Sequence, residues 1–371
     1  MPARPVGVVL LTMVLAGCSS APAATLSGGA DSLYVGAAFA RDSGIDTRGY
    51  AYGVKLALDK YNTIRPHGAR PLAVRYPPGG ASDVLIAATF RDDPKVIAVV
   101  GHTGSAATLA AAPIYADAEH NGRHALIAIT PTATNPRVTK TTRWVFRVCP
   151  TDDDAARALA RFAAESLHAK RVGIIYRDDL FGRGYTAAFK SELANHHVPL
   201  VERDPYLRGV AGYEAYAIRL TQRGVDALVL AGGANEAVDI LRAVRKAGSR
   251  AKFLGSDDLA SFSADPVFAR EFDGLRYTAF YDPEHQVPAA REFAAAYQKE
   301  FGAPADQKGA LAYDAATLIA EAVYAVGPDR ASIRNWVARA PELNGVTGTI
   351  RFSGASGDPI EKQVAIGAVH P

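Results

Sequence analysis

Val96-Ile97-Ala98-Val99-Val100-Gly101-His102-Thr103-Gly104-Ser105-Ala106-Ala107-Thr108 runs from an unbroken apolar stretch, through small and polar residues, into a helical stretch that continues to Tyr115. An apolar run without polar alternation suits a strand covered on both faces, as in a parallel sheet. Runs of the same kind recur at residues 33–38, 72–76, 125–129, 172–176, 227–231, 253–255 and 275–281. Helical patterns lie between them. Tyr50, Val54, Leu58 and Tyr61 line one helix face. Asp152 or Asp153 is placed to cap a helix carrying Leu159, Phe162, Ala163 and Leu167. Asn235 is placed to cap another, with Val238, Leu241 and Val244, stopped by Gly248. Pro288 fits a first turn before Phe293, Tyr297 and Phe301, and residues 310–326 form a further helix. Strand then helix, repeated, predicts an α/β fold with right-handed crossovers. The C-terminal part differs: residues 345–352 and 363–369 read as two strands joined by a loop.

At the N-terminus, Arg4 precedes an apolar run over residues 6–16. That run is shorter than the roughly 20 residues a membrane span needs, and it has the organisation of a secretory signal. Its end, Leu15-Ala16-Gly17-Cys18, resembles the bacterial lipobox, which implies lipid attachment at Cys18. Residues 19–31 are small and flexible and read as a tether, with the folded part starting near Ser32. About 340 residues remain, which suggests two domains. The chain is 49% hydrophobic and 21% charged with a net charge of +3, which is globular and too mildly basic to argue for a nucleic-acid partner. With Cys18 lipidated, Cys149 is alone, no internal disulfide forms, and a buried structural thiol is expected.

No phosphate loop, His-Glu-x-x-His helix, Cys-x-x-Cys pair or Gly-x-Ser-x-Gly elbow is present. Gly182-Arg183-Gly184 superficially resembles a dinucleotide fingerprint, but five residues separate it from the run ending at Tyr176, so the tight strand-to-helix turn is missing. Asp152-Asp153-Asp154 fits capping and the helix dipole rather than a metal. His196-His197 is expected at the surface. The sequence therefore predicts no enzyme, no cofactor and no metal.

Three segments, read in order, resemble the type I periplasmic binding proteins, and within them the leucine/isoleucine/valine-binding branch that serves ABC transporters. They are residues 99–108, Ile129-Thr130-Pro131-Thr132-Ala133-Thr134-Asn135-Pro136, and Tyr176-Arg177-Asp178-Asp179-Leu180-Phe181-Gly182-Arg183-Gly184. Residues 53–62, 253–258, 310–316 and 348–357 agree as well. The resemblance implies two Rossmann-like lobes with central parallel sheets joined by three crossovers. Lobe one would be residues 32–149 and 283–347, and lobe two residues 150–282 and 348–371. It implies a small amino-acid-like ligand in the interlobe cleft, an ABC transporter permease as partner, and a membrane reached only through the lipid anchor.

Ser105 opens a helix after a strand, where free N–H groups favour an anion. Thr132 and Thr134 follow another strand at its carboxyl end, where open α/β sheets bind ligands. The resemblance assigns these positions to the ligand's α-carboxylate and α-amino group. It assigns the acid for the ammonium to Asp257, with Asp258 beside it, an aromatic wall to Phe181, and a lobe-one aromatic to Tyr313. Two segments depart from the family pattern. The loop Gly232-Gly233-Ala234-Asn235 lacks a large clamp, which suggests room for a different or larger ligand side chain. The loop over residues 41–46 lacks the usual Gly-Pro and any tyrosine. Alternative functions for such a lipoprotein are regulation of a cell-wall enzyme and ligand sensing.

Overall fold

In the computed structural model, which describes residues 29, 31–39, 47–207, 209, 212–282 and 288–371, the apolar runs become two sheets. The signal segment with Cys18, the tether apart from residues 29 and 31, and the loop 41–46 lie outside the described residues. The first sheet contains β1 (Leu33–Ala38), β2 (Leu72–Arg75), β3 (Val96–Gly101), β4 (Ala128–Thr130) and β5 (Val145–Arg147). Its order is β2-β1-β3-β4-β5 and every pair is parallel. Next come β6 (Val172–Arg177), β7 (Leu200–Tyr206), β8 (Ala227–Ala231), β9 (Lys252–Gly255) and β10 (Arg276–Ala279). A hairpin of β11 (Leu343–Gly345) and β12 (Gly348–Ile350) precedes the last strand, β13 (Ala365–Ala368). The second sheet runs β13-β10-β9-β8-β6-β7, parallel except for β13 against β10.

Helices cover both sheets: α1 (Arg48–Ile64), α2 (Asp83–Asp92), α3 (Ser105–Tyr115), α4 (Asp152–Arg161), α5 (Leu180–Asn195) and α6 (Glu214–Gln222). They are followed by α7 (Ala234–Lys246), α8 (Pro266–Glu271), α9 (Pro288–Phe301), α10 (Gln307–Val326) and α11 (Arg330–Ala338). The α/β expectation holds. The chain leaves the first sheet after β5 and builds the second through β10. It then returns to lay α9 and α10 against α1, and goes back to the second sheet at β13. The predicted α1 face is buried at Tyr50, Val54, Leu58 and Tyr61. A Cβ on Gly53 would collide with the Gly309 carbonyl, so α1 and α10 approach closely because both positions are glycine. By length and composition α10 could cross a membrane, but 67% of that stretch is buried, so it is a core helix.

Several local expectations need correction. Thr151, not Asp152 or Asp153, caps α4: its hydroxyl accepts from the Asp154 N–H, and the Asp154 carboxylate accepts from the Thr151 N–H. The continuation through Phe162 and Ala163 is a π turn over Phe162–Ser166, with the Leu167 N–H reaching the Phe162 carbonyl at 3.0 Å. Gly233, not Asn235, is the N-cap of α7. Residues 345–352 are the turn and second arm of the β11–β12 hairpin rather than one strand.

The hairpin turn is held by a buried ionic network. The Asp314 carboxylate on α10 accepts from the Val346 N–H at 2.8 Å, from the Thr347 N–H at 2.9 Å and from the Thr347 hydroxyl. Lys362 donates to the same hydroxyl at 2.8 Å. Burial outweighs their mutual attraction at both ends, pushing Asp314 up and Lys362 down to about 8. Asp314→Ala leaves Lys362 buried without its counter-charge and strands two backbone N–H groups. We expect a loss of about 3 kcal/mol in urea unfolding; an unchanged midpoint would show that the network is dispensable.

Candidate ligand-binding site

In both sheets the loops at the carboxyl ends of the strands are where the strand order reverses, between β1 and β3 and between β6 and β8. That is the place where open α/β sheets leave a crevice for a ligand. The loops after β3 and β4 bring Ser105, Thr132 and Thr134. Those after β6, β8 and β9 bring Phe181, Gly232-Gly233 and Asp257.

On the first side, the hydrogen bonds sort the hydroxyls by what they have left to give. Thr132 Oγ1 donates its single proton to the Thr103 carbonyl at 2.7 Å. The Tyr50 hydroxyl, 3.0 Å away, must therefore be the donor to Thr132. Thr132 is thus an acceptor toward any ligand. Ser105 is the reverse: its Oγ accepts from the Asn135 N–H at 3.2 Å and keeps its own proton. It does so at the first residue of α3, where backbone N–H groups and the helix dipole favour an anion. Thr134 accepts from the Asp152 N–H at 2.9 Å through its carbonyl, and its hydroxyl lies against the Asp152 carboxylate.

These loops are pinned from behind. Fully buried Arg147 pairs with Asp358 at 2.6 Å and donates to the carbonyls of Ala133 and Asn135 at 2.7 and 2.8 Å. Buried His102 lies 2.9 Å from Asp83 through Nδ1 and 3.0 Å from the Tyr115 hydroxyl through Nε2. The His102 bond holds the Asp83 carboxyl below its usual range. An ionised Asp83 can only accept, so Nδ1 is the donor of that pair.

On the second side stand two acids. Asp257 opens the 3-10 turn Asp257–Ala264 and is held by one long hydrogen bond, from Gln307 Nε2 at 3.3 Å. The other end of the Gln307 amide accepts from the Phe280 N–H at 2.7 Å, so Gln307 ties α10 to both segments. Asp257 is only half-buried by surface, yet protein surrounds it closely enough that desolvation, then Asp258 and Asp152, push its pKa well up. No described residue forms an ion pair with it. The second acid, Asp152, is 2% exposed and its Oδ2 has no partner. Burial raises its pKa to about 6 against the opposing pull of Thr134 and Arg147.

The remaining expected residues are distributed as follows. Phe181 is half-buried beside Tyr185, ring centres 5.5 Å apart, with the Arg177 guanidinium 5.6 Å over its face. Tyr313 packs on Phe293 at 4.9 Å, and no hydrogen bond joins it to Ser105, Thr132, Thr134 or Asp257. The aromatic that does bond into the site is Tyr50. The room expected beside Gly232 is filled: a Cβ there would collide with the Tyr206 hydroxyl, delivered from the edge strand β7. Cys149 is buried, and burial pushes its thiol up to about 12, as suits an inert structural residue. Among the described residues no group of three or more His, Cys, Asp or Glu is arranged to hold a metal ion.

The raised pKa of Asp152 has a sign that can be tested. The folded chain holds its proton more tightly than the unfolded chain, so stability from this group is present at low pH and lost as pH rises through about 6. The shift from 3.8 to about 6 corresponds to about 3 kcal/mol at neutral pH. We expect Asp152→Asn to stabilise the ligand-free protein by up to that amount in urea unfolding at about pH 7.5, with the gain gone near pH 4. A gain independent of pH would contradict a buried, unpaired carboxylate at this position.

Comparison with known proteins agrees with the fold. The model of a family described as periplasmic binding protein matches residues 42–369. An amino acid binding protein of Pseudomonas aeruginosa is 30% identical over 206 residues, covering 54% of this chain and 53% of the relative. The Leu/Ile/Val-binding protein of Escherichia coli K12 is 28% identical over 194 residues, covering 52% of this chain and 50% of the relative. The chain therefore spans about half the length of these relatives in the matches. A solved ABC transporter substrate-binding protein from Desulfitobacterium hafniense, in complex with Leu, has a TM-score of 0.79 and 26% identity, covering 91% of this chain and 97% of that one. With the family match running through nearly all of the folded region, the chain belongs to the periplasmic binding proteins.

Proposed function

We propose that this protein captures an amino acid or close analogue between two lobes outside the cytoplasm and delivers it to an ABC transporter permease, without chemistry on the ligand. Lobe one comprises residues 32–149 and 283–347, and lobe two residues 150–282 and 348–371. The reading is carried by one observation. A hydroxyl with a free proton, Ser105, sits at the start of α3, while Asp257 across the site has no cation to pair with. A zwitterion answers both poles. Its carboxylate takes the Ser105 hydroxyl and the α3 N–H groups; its ammonium takes Asp257 and the acceptor oxygen of Thr132. Thr134 acts from behind, by holding Asp152. Phe181 supplies an apolar wall, and Tyr313 packs α10 against Phe293 of α9.

Titration calorimetry of the folded domain with the common amino acids tests this. Binding should be micromolar or tighter, about −8 kcal/mol. Ser105→Ala should weaken it by about 1–3 kcal/mol, and Asp257→Ala by more, since the ammonium would then be buried without a counter-charge. No heat from any ligand would remove the reading, and wild-type affinity in Asp257→Ala would show that another acid serves.

The anchor belongs to the same proposal. The lipobox-like Leu15-Ala16-Gly17-Cys18 places a lipid on Cys18 and leaves residues 19–31 as the tether. Cys18→Ser should move the protein from the membrane fraction to the soluble extracytoplasmic fraction. Retention of the variant in membranes would argue for a different attachment.

A further inference from the structure

Resting on the amino-acid reading above, we propose that the ligand is a basic amino acid, whose side-chain cation is received by Asp152 together with the hydroxyls of Tyr185 and Thr278.

The lobe-one hydroxyls and Asp257 account for the two backbone poles of an amino acid and leave a set of buried polar atoms unused. Asp152 Oδ2, the Tyr185 hydroxyl and Thr278 Oγ1 come from α4, α5 and β10, and none has a hydrogen-bond partner. Their residues are 2%, 1% and 0% exposed. They form one neighbourhood. Thr278 lies close enough to the Tyr185 hydroxyl to act on it, as do the charges of Asp257 and Asp152. Asp152 in turn acts on Asp257. Buried polar groups are nearly always satisfied, so three together next to a ligand position point to what the ligand brings.

The charge count leads the same way. Three bases of the surrounding segments are already committed: Arg147 to Asp358 and two carbonyls, Arg177 to Asp179, and Lys362 to the Asp314 network. A single α-ammonium balances one of the two acids. The other is balanced by a second cation, and every unpartnered atom of the set can accept from an ammonium or guanidinium. An aliphatic side chain would cover all three and satisfy none. At Gly232 the Tyr206 hydroxyl occupies the place a side chain of the loop would take, which adds a polar group to this side.

Calorimetry at about pH 7.5 with leucine, glutamine, ornithine, lysine and arginine decides it, on wild type, Asp152→Asn and Tyr185→Phe. We expect the best cationic amino acid to bind at least about 100-fold more tightly than leucine or glutamine, as two charge-assisted bonds would give. Asp152→Asn should remove most of that preference, read as the ratio of cationic-ligand to leucine affinity within the same variant, with Tyr185→Phe giving a smaller loss of the same kind. Leucine or glutamine binding as tightly as the best cation overturns the proposal. So does a preference unaltered in both variants, provided each melts as a folded protein. Those outcomes leave the amino-acid reading standing. Failure of all five ligands on wild-type protein overturns this proposal, and silence across the remaining common amino acids as well overturns the reading it rests on.

Discussion

One buried and one half-buried carboxylate, Asp152 and Asp257, neither in an ion pair among the described residues, are the constraint around which this candidate site is organised. Removing a carboxylate from water is costly unless a counter-charge or several donors replace the hydration. The protein could have supplied a base, since Arg147, Arg177 and Lys362 all lie in the surrounding elements, but each is engaged elsewhere. The groups in closest contact with the acids are neutral, the Gln307 amide at Asp257 and the Thr134 hydroxyl at Asp152, with Arg147 acting on Asp152 from its own pairing. Two acids that raise one another's cost are thereby left for something that enters from outside. This is the arrangement a receptor needs, because charge already neutralised by the protein cannot contribute to affinity.

That arrangement works only if the loops bearing it do not relax around the unmet charge. The parallel sheets deliver them at fixed heights, and a second layer of buried polar groups fixes their course. Arg147 spans from Asp358 to the carbonyls on either side of Thr134, so the chain carrying Thr132 and Thr134 is tied to residues more than two hundred positions later. The His102 carbonyl accepts from Thr130 and Thr108, while its ring is fixed between Asp83 and Tyr115. Tyr50 reaches from α1 to spend its proton on Thr132. Affinity then gains from loops that do not have to be ordered on binding.

The sequence carried the fold plainly where strands are buried on both faces, because runs such as residues 96–100 and 227–231 are too short for a helix and too apolar for a strand with a wet face. It was silent at β7, where Glu202, Arg203, Asp204 and Pro205 sit on an edge strand paired only with β6, and polar residues are tolerated there. It also missed α2, α5, α6, α8 and α11 and the short strands β5 and β11. For the candidate site, motif order pointed to Ser105, Thr132, Thr134 and Asp257, which the fold carries just past the carboxyl ends of β3, β4 and β9. Asp152 was read as a helix cap because three consecutive acids at a helix start invite that reading. Only the structure shows Thr151 taking the cap and turning Asp152 inward. Tyr50 was visible only as part of an apolar helix face, and Tyr206 lay in the strand that was not seen. In each case the missing information was which neighbour a side chain meets across elements distant in sequence.

Gln307 joins the electrostatics of the site to the relation between the two sheets. It is the first residue of α10, the helix pressed against α1 at Gly53 and Gly309, and its amide touches both Asp257 and the Phe280 backbone. Any arrangement that drew the Asp257 loop away from α10 would break that contact and admit water to the acids, which solvation favours in the absence of a cation. A cation between them favours the opposite, the arrangement that excludes water and strengthens each charge-assisted bond. A ligand shifts a conformational equilibrium only by the difference in its interaction with the two states. Here that difference is located at named atoms: the carboxylates of Asp152 and Asp257, which are costly when enclosed alone and stabilising when enclosed with positive charge.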